Sequence, residues 1–327
     1  HIPGLSWREG GQTRVNPAPK PKTALDALPL PDRGAIDLEG YLACWEKFHG
    51  TRPISLITSR GCPFQCTWCS HNVYGHSLRK RSPAGVAEEM EWLRQHYQFD
   101  RYWFADDVFT ILPKWIFQLR DLLRDRAELV KPFECISRAD KLDAELVEAL
   151  RELGCARLWV GAESGSQRLL DLMKRGVQRN QVIHVIGLLR EAGIETGMFF
   201  MWGFMDECYE DVIETVDLAI ACMPDIALTT IAYPIKGTAF HSVLAETGQV
   251  VERLDFAQGT DRDLHIKGQA DGATYRLADQ LLHSSMQTVR LRQGKLEQRL
   301  KGEAHRWRAR FLRRQLKRAF VTSQTPS

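Results

Sequence analysis

Residues 59–69 read Ser59-Arg60-Gly61-Cys62-Pro63-Phe64-Gln65-Cys66-Thr67-Trp68-Cys69, and the spacing of the three cysteines decides how the rest of the chain is read. The thiols are separated by three residues and then by two, directly after an apolar β-branched run, Ile54-Ser55-Leu56-Ile57-Thr58. A loop of that length can curl so that the thiolates converge on one inorganic centre. Soft anionic sulfur suits zinc or an iron–sulfur cluster. Structural zinc is normally closed by a fourth ligand, and His71 stands close enough in sequence to complete such a set. A [4Fe–4S] cube held by only three thiolates leaves one iron open to a substrate or cofactor. The ferredoxin run uses shorter gaps and a fourth cysteine. The strand context favours the reactive cluster over the closed zinc site.

The chain has 327 residues, 44% hydrophobic and 26% charged, which suits an ordinary globular protein with one barrel-sized domain and extensions. Eight cysteines in a chain this long do not make a disulfide framework. Five of them (Cys44, Cys135, Cys155, Cys208, Cys222) are scattered in apolar surroundings and read as buried small hydrophobes in a reducing compartment. No secretory segment opens the sequence, and the most apolar stretch, Ile194 to Met205, is too short for a membrane span and reads as a core strand. The expected location is the cytoplasm. Beginning at His1 rather than Met, the sequence reads as a fragment or as numbered from an internal point.

From residue 53 onward, strand-like and helix-like segments alternate, the pattern of a parallel sheet covered by helices. Strands are expected at 53–59, 102–105, 133–137, 157–161, about 196–202 and about 226–233. Helices are expected from Ser82-Pro83, where Ser caps and Pro occupies the first turn, near 112–126, and from Asp143 to Leu153, closed by Gly154. In parallel barrels functional groups lie at the C-terminal ends of the strands. Those ends carry Asp106-Asp107, Ser137-Arg138, Gly161-Ala162-Glu163-Ser164-Gly165-Ser166, Gly203 to Cys208, and Tyr233-Pro234-Ile235-Lys236-Gly237-Thr238. Adjacent carboxylates at a strand mouth are costly to bury unless a cation or donor meets them. An arginine fork matches a carboxylate, so Arg138 is either a clamp for one or a salt-bridge partner of Asp140 or Asp106.

The C-x3-C-x2-C spacing after a first strand, with Trp68 before the last cysteine, resembles the radical S-adenosylmethionine (SAM) superfamily. The resemblance covers about residues 50–240. It implies an α/β fold, an open (β/α)6 partial TIM-like barrel, with a mostly helical C-terminal extension. It implies a [4Fe–4S] cluster on Cys62, Cys66 and Cys69, with SAM positioned by Trp68, Asp106, Arg138, Glu163 and Ser164, and Asp107 as second choice to Asp106. Within this set, Asp106 would accept from the SAM ammonium and Glu163 would take the ribose hydroxyls. The activity implied is reductive cleavage of SAM to a 5′-deoxyadenosyl radical, with an electron from a reductant such as flavodoxin or ferredoxin. No catalytic residue beyond the cofactor ligands is assigned. Where the family shows Gly-x-Pro-Gly-Glu-Thr, this chain keeps Gly203 and Glu207 but has Phe204, Met205 and Cys208 in the altered positions. Glu207 is then expected to be an early-helix acid at the positive end of the dipole.

Residues 1–50 are rich in Pro and Gly and read as an extended linker. Leu28-Pro29-Leu30-Pro31-Asp32-Arg33 resembles the linker that follows a cobalamin-binding domain in cobalamin-dependent members. That subfamily implies methylation of an unactivated carbon of a small-molecule or peptide substrate, with cobalamin bound by a domain upstream. A radical cyclase or rearrangement enzyme is the alternative. A zinc- or cluster-bearing nucleic-acid-binding module is the alternative of another class. The expected division is 1–50 linker, 51–240 barrel and 241–327 basic helical extension. Residues 251–275 read as a loop near the active-site opening, and 276–320 as helix. Between Arg290 and Arg318, twelve Lys/Arg face two Asp/Glu, whereas the whole chain carries only +3. That segment reads first as a solvated, partly disordered terminal helix. The functional readings are a dock for an anionic partner, nucleic acid or phosphorylated substrate, or a membrane surface met by the face of Leu312, Leu316, Ala319 and Phe320.

Overall fold

The computed structural model describes residues 2–17, 24–70, 76–250, 266–292 and 296–323. A hairpin of β1 (Ser6–Glu9) and β2 (Gln12–Val15) precedes helix α1 (Leu38–His49). The expectation of an extended linker over residues 1–50 is corrected here. The prolines end at Pro31, Asp37 caps α1 by accepting from the Gly40 amide, and Gly50 closes it at φ 71°.

The strand–helix alternation then follows the expected order. β3 (Pro53–Leu56) leads to a short antiparallel pair, β4 (Ser59–Arg60) and β5 (Arg79–Lys80), which brackets the cysteine loop. Next come α2 (Pro83–His96), β6 (Arg101–Phe104), α3 (Pro113–Arg124), β7 (Phe133–Ser137) and α4 (Ala144–Glu152). They are followed by β8 (Cys155–Glu163), α5 (Gln167–Leu172), α6 (Arg179–Glu191), β9 (Glu195–Trp202), α7 (Tyr209–Cys222), β10 (Ile226–Ile231) and α8 (Ala239–Glu246). Ser82 and Asp143 cap α2 and α4 as expected, and Gly154 turns at φ 88°. The first strand is shorter than expected because its C-terminal part bends away to form β4.

Six strands form one parallel sheet in the order β10-β9-β8-β7-β6-β3. Sequential strands joined by helices curl into an open barrel, with β3 and β10 at its edges. Alternate residues split the two faces. Ile54, Tyr102, Phe104, Phe133, Cys135, Leu158, Val160 and Met198 point outward into the continuous apolar layer beneath the helices. Glu134, Ile136, Arg157, Trp159 and Phe199 alternate with them and face the lumen.

The lower lumen carries a ladder of ion pairs across neighbouring strands. Arg101 Nη1 lies 2.9 Å from Glu134 Oε1, Arg157 Nη1 3.1 Å from Glu134 Oε2, and Arg157 Nη2 2.5 Å from Glu195. The Trp159 indole donates to Glu134 at 3.0 Å, and its ring stacks on Phe199 at 5.1 Å. Gly197 is required there, since a Cβ would fall 2.2 Å from the Trp159 ring.

The C-terminal extension is two helices rather than one, α9 (Gly272–Arg292) and α10 (Leu296–Ser323). α9 lies against α7, and α10 lies mainly against α9. Leu312, Leu316 and Phe320 are buried. The apolar face assigned from sequence to a membrane is therefore packed inside the protein. Most of the loop expected over 251–275 falls at 251–265, outside the described residues. Of the scattered cysteines, Cys135, Cys155 and Cys222 are buried, but Cys44 is exposed on α1 and Cys208 is half-buried.

Candidate active site

The cysteine loop is anchored at several points. Before the loop, the buried Asp106 carboxylate accepts from the amides of Thr58 (2.7 Å) and Ser59 (3.0 Å), from the Thr58 hydroxyl, and from Lys80 Nζ at 3.2 Å. Lys80 is itself buried, 4.1 Å from the Trp115 ring centroid, and burial lowers its pKa against the opposing pull of Asp106. Within the loop, Gly61 turns at φ 84°, the Thr67 amide donates to the Met173 carbonyl at 3.0 Å, and the Thr67 carbonyl accepts from Phe240 at 2.9 Å. These contacts fix the backbone before anything binds.

The anchored loop forms the rim of a cavity of about 330 Å³ at the C-terminal ends of the strands, where the parallel-barrel rule directs attention. Cys62, Cys66 and Cys69 line it, facing Trp68, Asp107, Arg138, Glu163 and Arg175. Burial raises the Cys62 thiol pKa and pushes that of Cys69 up to about 12, with the neighbouring cysteines adding to both. Against this, two guanidiniums meet one sulfur. Arg138 Nη1 and Arg175 Nη1 each lie 3.7 Å from Cys66 Sγ.

The two arginines are held in place by their other contacts. Arg138 donates through Nε to Asp140 at 2.8 Å and through Nη2 to the Arg175 carbonyl at 2.5 Å, and it stacks 3.7 Å from the Phe64 ring centroid. The sequence left Arg138 between a carboxylate clamp and a salt bridge. The structure contains the salt bridge to Asp140. Arg175 donates to the Gly161 carbonyl at 2.9 Å and lies 3.7 Å from Glu163 Oε1, while its buried Nε has no partner. The sequence reading did not single out Arg175. Lys174-Arg175-Gly176 looks like an ordinary helix end, and nothing local marks one basic residue as turned inward.

Glu163 is buried at the end of β8, where the register shifts against β9, and it has φ 61°. A non-glycine residue in that region costs about 1–3 kcal/mol and is held there only by its surroundings. Burial raises its pKa, and Arg175 and then Arg138 oppose that shift.

Two expected SAM contacts point elsewhere. Asp106 faces the Thr58–Ser59 corner and Lys80, whereas Asp107, one residue on, lines the cavity. Ser164 is fully buried against α7, its hydroxyl 3.0 Å from that of Thr215. Gly165 donates to the same Thr215 oxygen, and Ser166 donates to Asp211 at 2.6 Å. The serine–glycine segment therefore docks one helix on the barrel.

The altered loop after β9 is compact. The Glu207 carboxylate turns back to accept from the Gly203 amide at 2.6 Å, and burial pushes its pKa up to about 8. The expectation of an early-helix acid is corrected, because Glu207 closes its own loop ahead of α7. Phe204 stacks on Phe240 at 4.6 Å, in an apolar cluster against which Trp68 packs. Gly237 turns at φ 88° just ahead of α8.

A four-iron cluster fits this residue set. The donors are three thiols on one pinned loop, cations meet a sulfur, and the buried Trp68 Nε1 beside them has no partner. Among the described residues, no three His, Cys, Asp or Glu side chains converge closely enough to share a single metal ion. Zinc at about 2.3 Å from each ligand would draw its sulfurs to about 3.8 Å from one another. A cube presents its irons at separate corners and takes ligands spread further apart. His71, the fourth ligand of the zinc alternative, lies outside the described residues.

The family model for the radical SAM superfamily matches residues 56–219. The chain belongs to that superfamily. The radical SAM match covers the cysteine loop, Asp107, Arg138, Glu163 and Arg175, and the Cys62–Cys66–Cys69 spacing is consistent with a [4Fe–4S] cluster. The chain is 32% identical to an uncharacterized methyltransferase of Pyrococcus horikoshii, over 72% of this chain and 50% of that protein. It is 28% identical to the anaerobic magnesium-protoporphyrin IX monomethyl ester cyclase of Rubrivivax gelatinosus, over 75% and 43%. It is 29% identical to the cytidylyl-2-hydroxyethylphosphonate methyltransferase of Streptomyces wedmorensis, over 76% and 49%. The chain thus spans about half the length of the curated relatives it matches.

Among solved structures, the cobalamin-dependent SAM radical enzyme OxsB superposes with a TM-score of 0.68 at 17% identity, over 96% of this chain and 52% of that one. The radical SAM methyltransferase TsrM from Kitasatospora setae, with tryptophan and a SAM analogue bound, superposes at 0.63 and 21% identity, over 76% and 50%. These similarities establish the radical SAM fold. No helix among the described residues is long and apolar enough to cross a membrane.

Proposed function

We propose that this chain is the radical SAM portion of a cobalamin-dependent methyltransferase. The observation that carries the reading is the single cavity in which three thiols, a flat indole, a carboxylate at the rim and a buried carboxylate face one another. Cys62, Cys66 and Cys69 hold the cluster, leaving one iron for SAM. Trp68 offers a flat face and an unpartnered N–H for the adenine. Glu163, held in its left-handed conformation, accepts from the ribose hydroxyls. Asp107, rather than Asp106, accepts from the SAM ammonium. Arg138 and Arg175 each present a guanidinium to Cys66, and Arg175 opposes the burial that raises the Glu163 pKa. The reduced cluster supplies the electron that breaks the sulfonium bond, and methylcobalamin supplies the methyl group.

For the substrate we propose the lower lumen, a cavity of about 710 Å³ walled by Tyr41, Trp45, Trp103 and Trp159. Glu134 and Trp159 line it, while Ile136 and Gly161, two residues further along the same strands, line the cavity above. Cobalamin is assigned to a further domain. Support comes from the greater length of the relatives, the likeness to OxsB, and the exposed Tyr41 and Trp45 at the rim of the lower lumen. A second reading, radical cyclisation without methyl transfer, is supported by the likeness to the Rubrivivax cyclase.

Anaerobic reconstitution followed by incubation with SAM and reductant tests the first step. About four irons per chain and release of 5′-deoxyadenosine are expected, both lost in Cys66→Ala. A Cys66→Ala protein that keeps the full cluster and still releases the nucleoside would overturn the proposal. With cobalamin and the physiological substrate, S-adenosylhomocysteine alongside 5′-deoxyadenosine distinguishes methyl transfer from cyclisation.

A further inference from the structure

Helix α10 presents two faces of different character. Toward the protein it buries Leu312, Leu316 and Phe320, and it is clipped to α7 by Arg313, whose Nε lies 3.3 Å from the Tyr209 hydroxyl, and by Lys317 near the Tyr209 ring. Away from the protein, at helical spacing of about 3.6 residues per turn, Leu300, Trp307, Phe311 and Val321 fall in one narrow row. They are 66%, 68%, 59% and 63% exposed, which is unusual for four large apolar side chains aligned on one helix. Arg314 and Arg318 lie in the same row, between Phe311 and Val321. Arg299 and Arg310 flank it on one side, and Lys301 and Arg308 on the other. From residue 298 to 321 the helix carries nine Lys/Arg and one acid, Glu303, which is itself paired with Arg292 and Arg306.

From this arrangement we infer that α10 is a monotopic membrane-contact helix whose outward ridge enters the headgroup region of an anionic bilayer. The ridge supplies aromatic and aliphatic groups for the acyl boundary. The flanking guanidinium and ammonium groups stand at the height of lipid phosphates on both sides of it. Charge complementarity fixes the sign of the surface. The row itself distinguishes a bilayer from a nucleic acid, because Trp307 and Phe311 could stack on bases but Leu300 and Val321, in the same line, offer no ring face. The opposite face is already committed to α9, so the helix lies flat on the membrane without leaving the fold.

The test is flotation of the full chain with phosphatidylcholine vesicles containing about 30% phosphatidylglycerol, beside vesicles of phosphatidylcholine alone. The chain is expected to float with the anionic vesicles only, and to be released at about 0.5 M salt. Trp307→Ala/Phe311→Ala and Arg308→Gln/Arg314→Gln are each expected to weaken partitioning about tenfold with unchanged circular dichroism. Failure of the parent chain to float with anionic vesicles overturns the inference, as does a Trp307→Ala/Phe311→Ala protein that floats equally well. Retention of a single-stranded RNA in gel shift, without flotation, overturns it in favour of nucleic acid. The result does not depend on SAM chemistry.

Discussion

Glu207 shows what one buried carboxyl does to stability. Its pKa is pushed up to about 8, chiefly by burial, with the Gly203 amide opposing and Asp211 adding to the shift. An unfolded carboxyl titrates near about 4.3. Below that value both states hold the proton and the protein keeps its full stability. As pH rises toward about 8, the unfolded chain ionises first, and stability falls by an amount on the order of a few kcal/mol. Glu207→Gln should remove that dependence. Urea midpoints measured from about pH 4 to pH 9 should show the parent losing ground to the variant as pH rises, and parallel curves would contradict this. The same scale shows where sequence reading stops. Asp106 and Asp107 are adjacent, and successive side chains at a strand end point opposite ways, so the sequence offered both and ranked the one that turns away from the cavity. Arg175 meets a sulfur more than a hundred residues distant in sequence, a contact that no local pattern encodes.

At the scale of elements, local chemistry was largely readable and long-range docking was not. Ser82, Asp143, Gly154 and Gly237 do what capping and turn chemistry predict. The Gly161–Ser166 segment carried a second role that its composition could not reveal. Its glycine lets α7 approach, since a Cβ on Gly165 would lie 2.1 Å from the Glu214 carbonyl oxygen. The clashing atoms, from Glu214 and Thr215, are all backbone, so α7 must move. Gly165→Ala is therefore expected to destabilise the protein by about 1–3 kcal/mol or more, read as a lower thermal midpoint. An unchanged midpoint would mean that α7 is not held by this contact. Helix α1 went unrecognised because a proline-rich stretch beside it dominated the composition of the first fifty residues.

For the molecule as a whole, the alternating pattern was sufficient to specify six parallel strands and their covering helices, because a period of two and a period near 3.6 are hard to confuse over full elements. The C-terminal pair was harder. One basic segment held both a buried face and an exposed ridge, and hydropathy alone picked out the face that the fold buries. Leu316 is fully buried, and Leu316→Ala should cost about 2–5 kcal/mol by leaving a cavity between α10 and its neighbour. A denaturation midpoint within error of the parent would show that the helical pair adds nothing to the stability of the barrel.

Phe199 lines the upper cavity and stacks at 5.1 Å on Trp159, which lines the lower one, so a pair of rings stands between the two rooms with the indole on the lower side. Its position rests on the bare α-carbon of Gly197 and on a tether to Glu134. The reach of a guest from the lower room toward the thiol layer is therefore set by two stacked side chains rather than by the sheet backbone. Substitutions at residues 159 and 199 together would widen or narrow that passage, admitting new guests while the cysteine loop stays as it is.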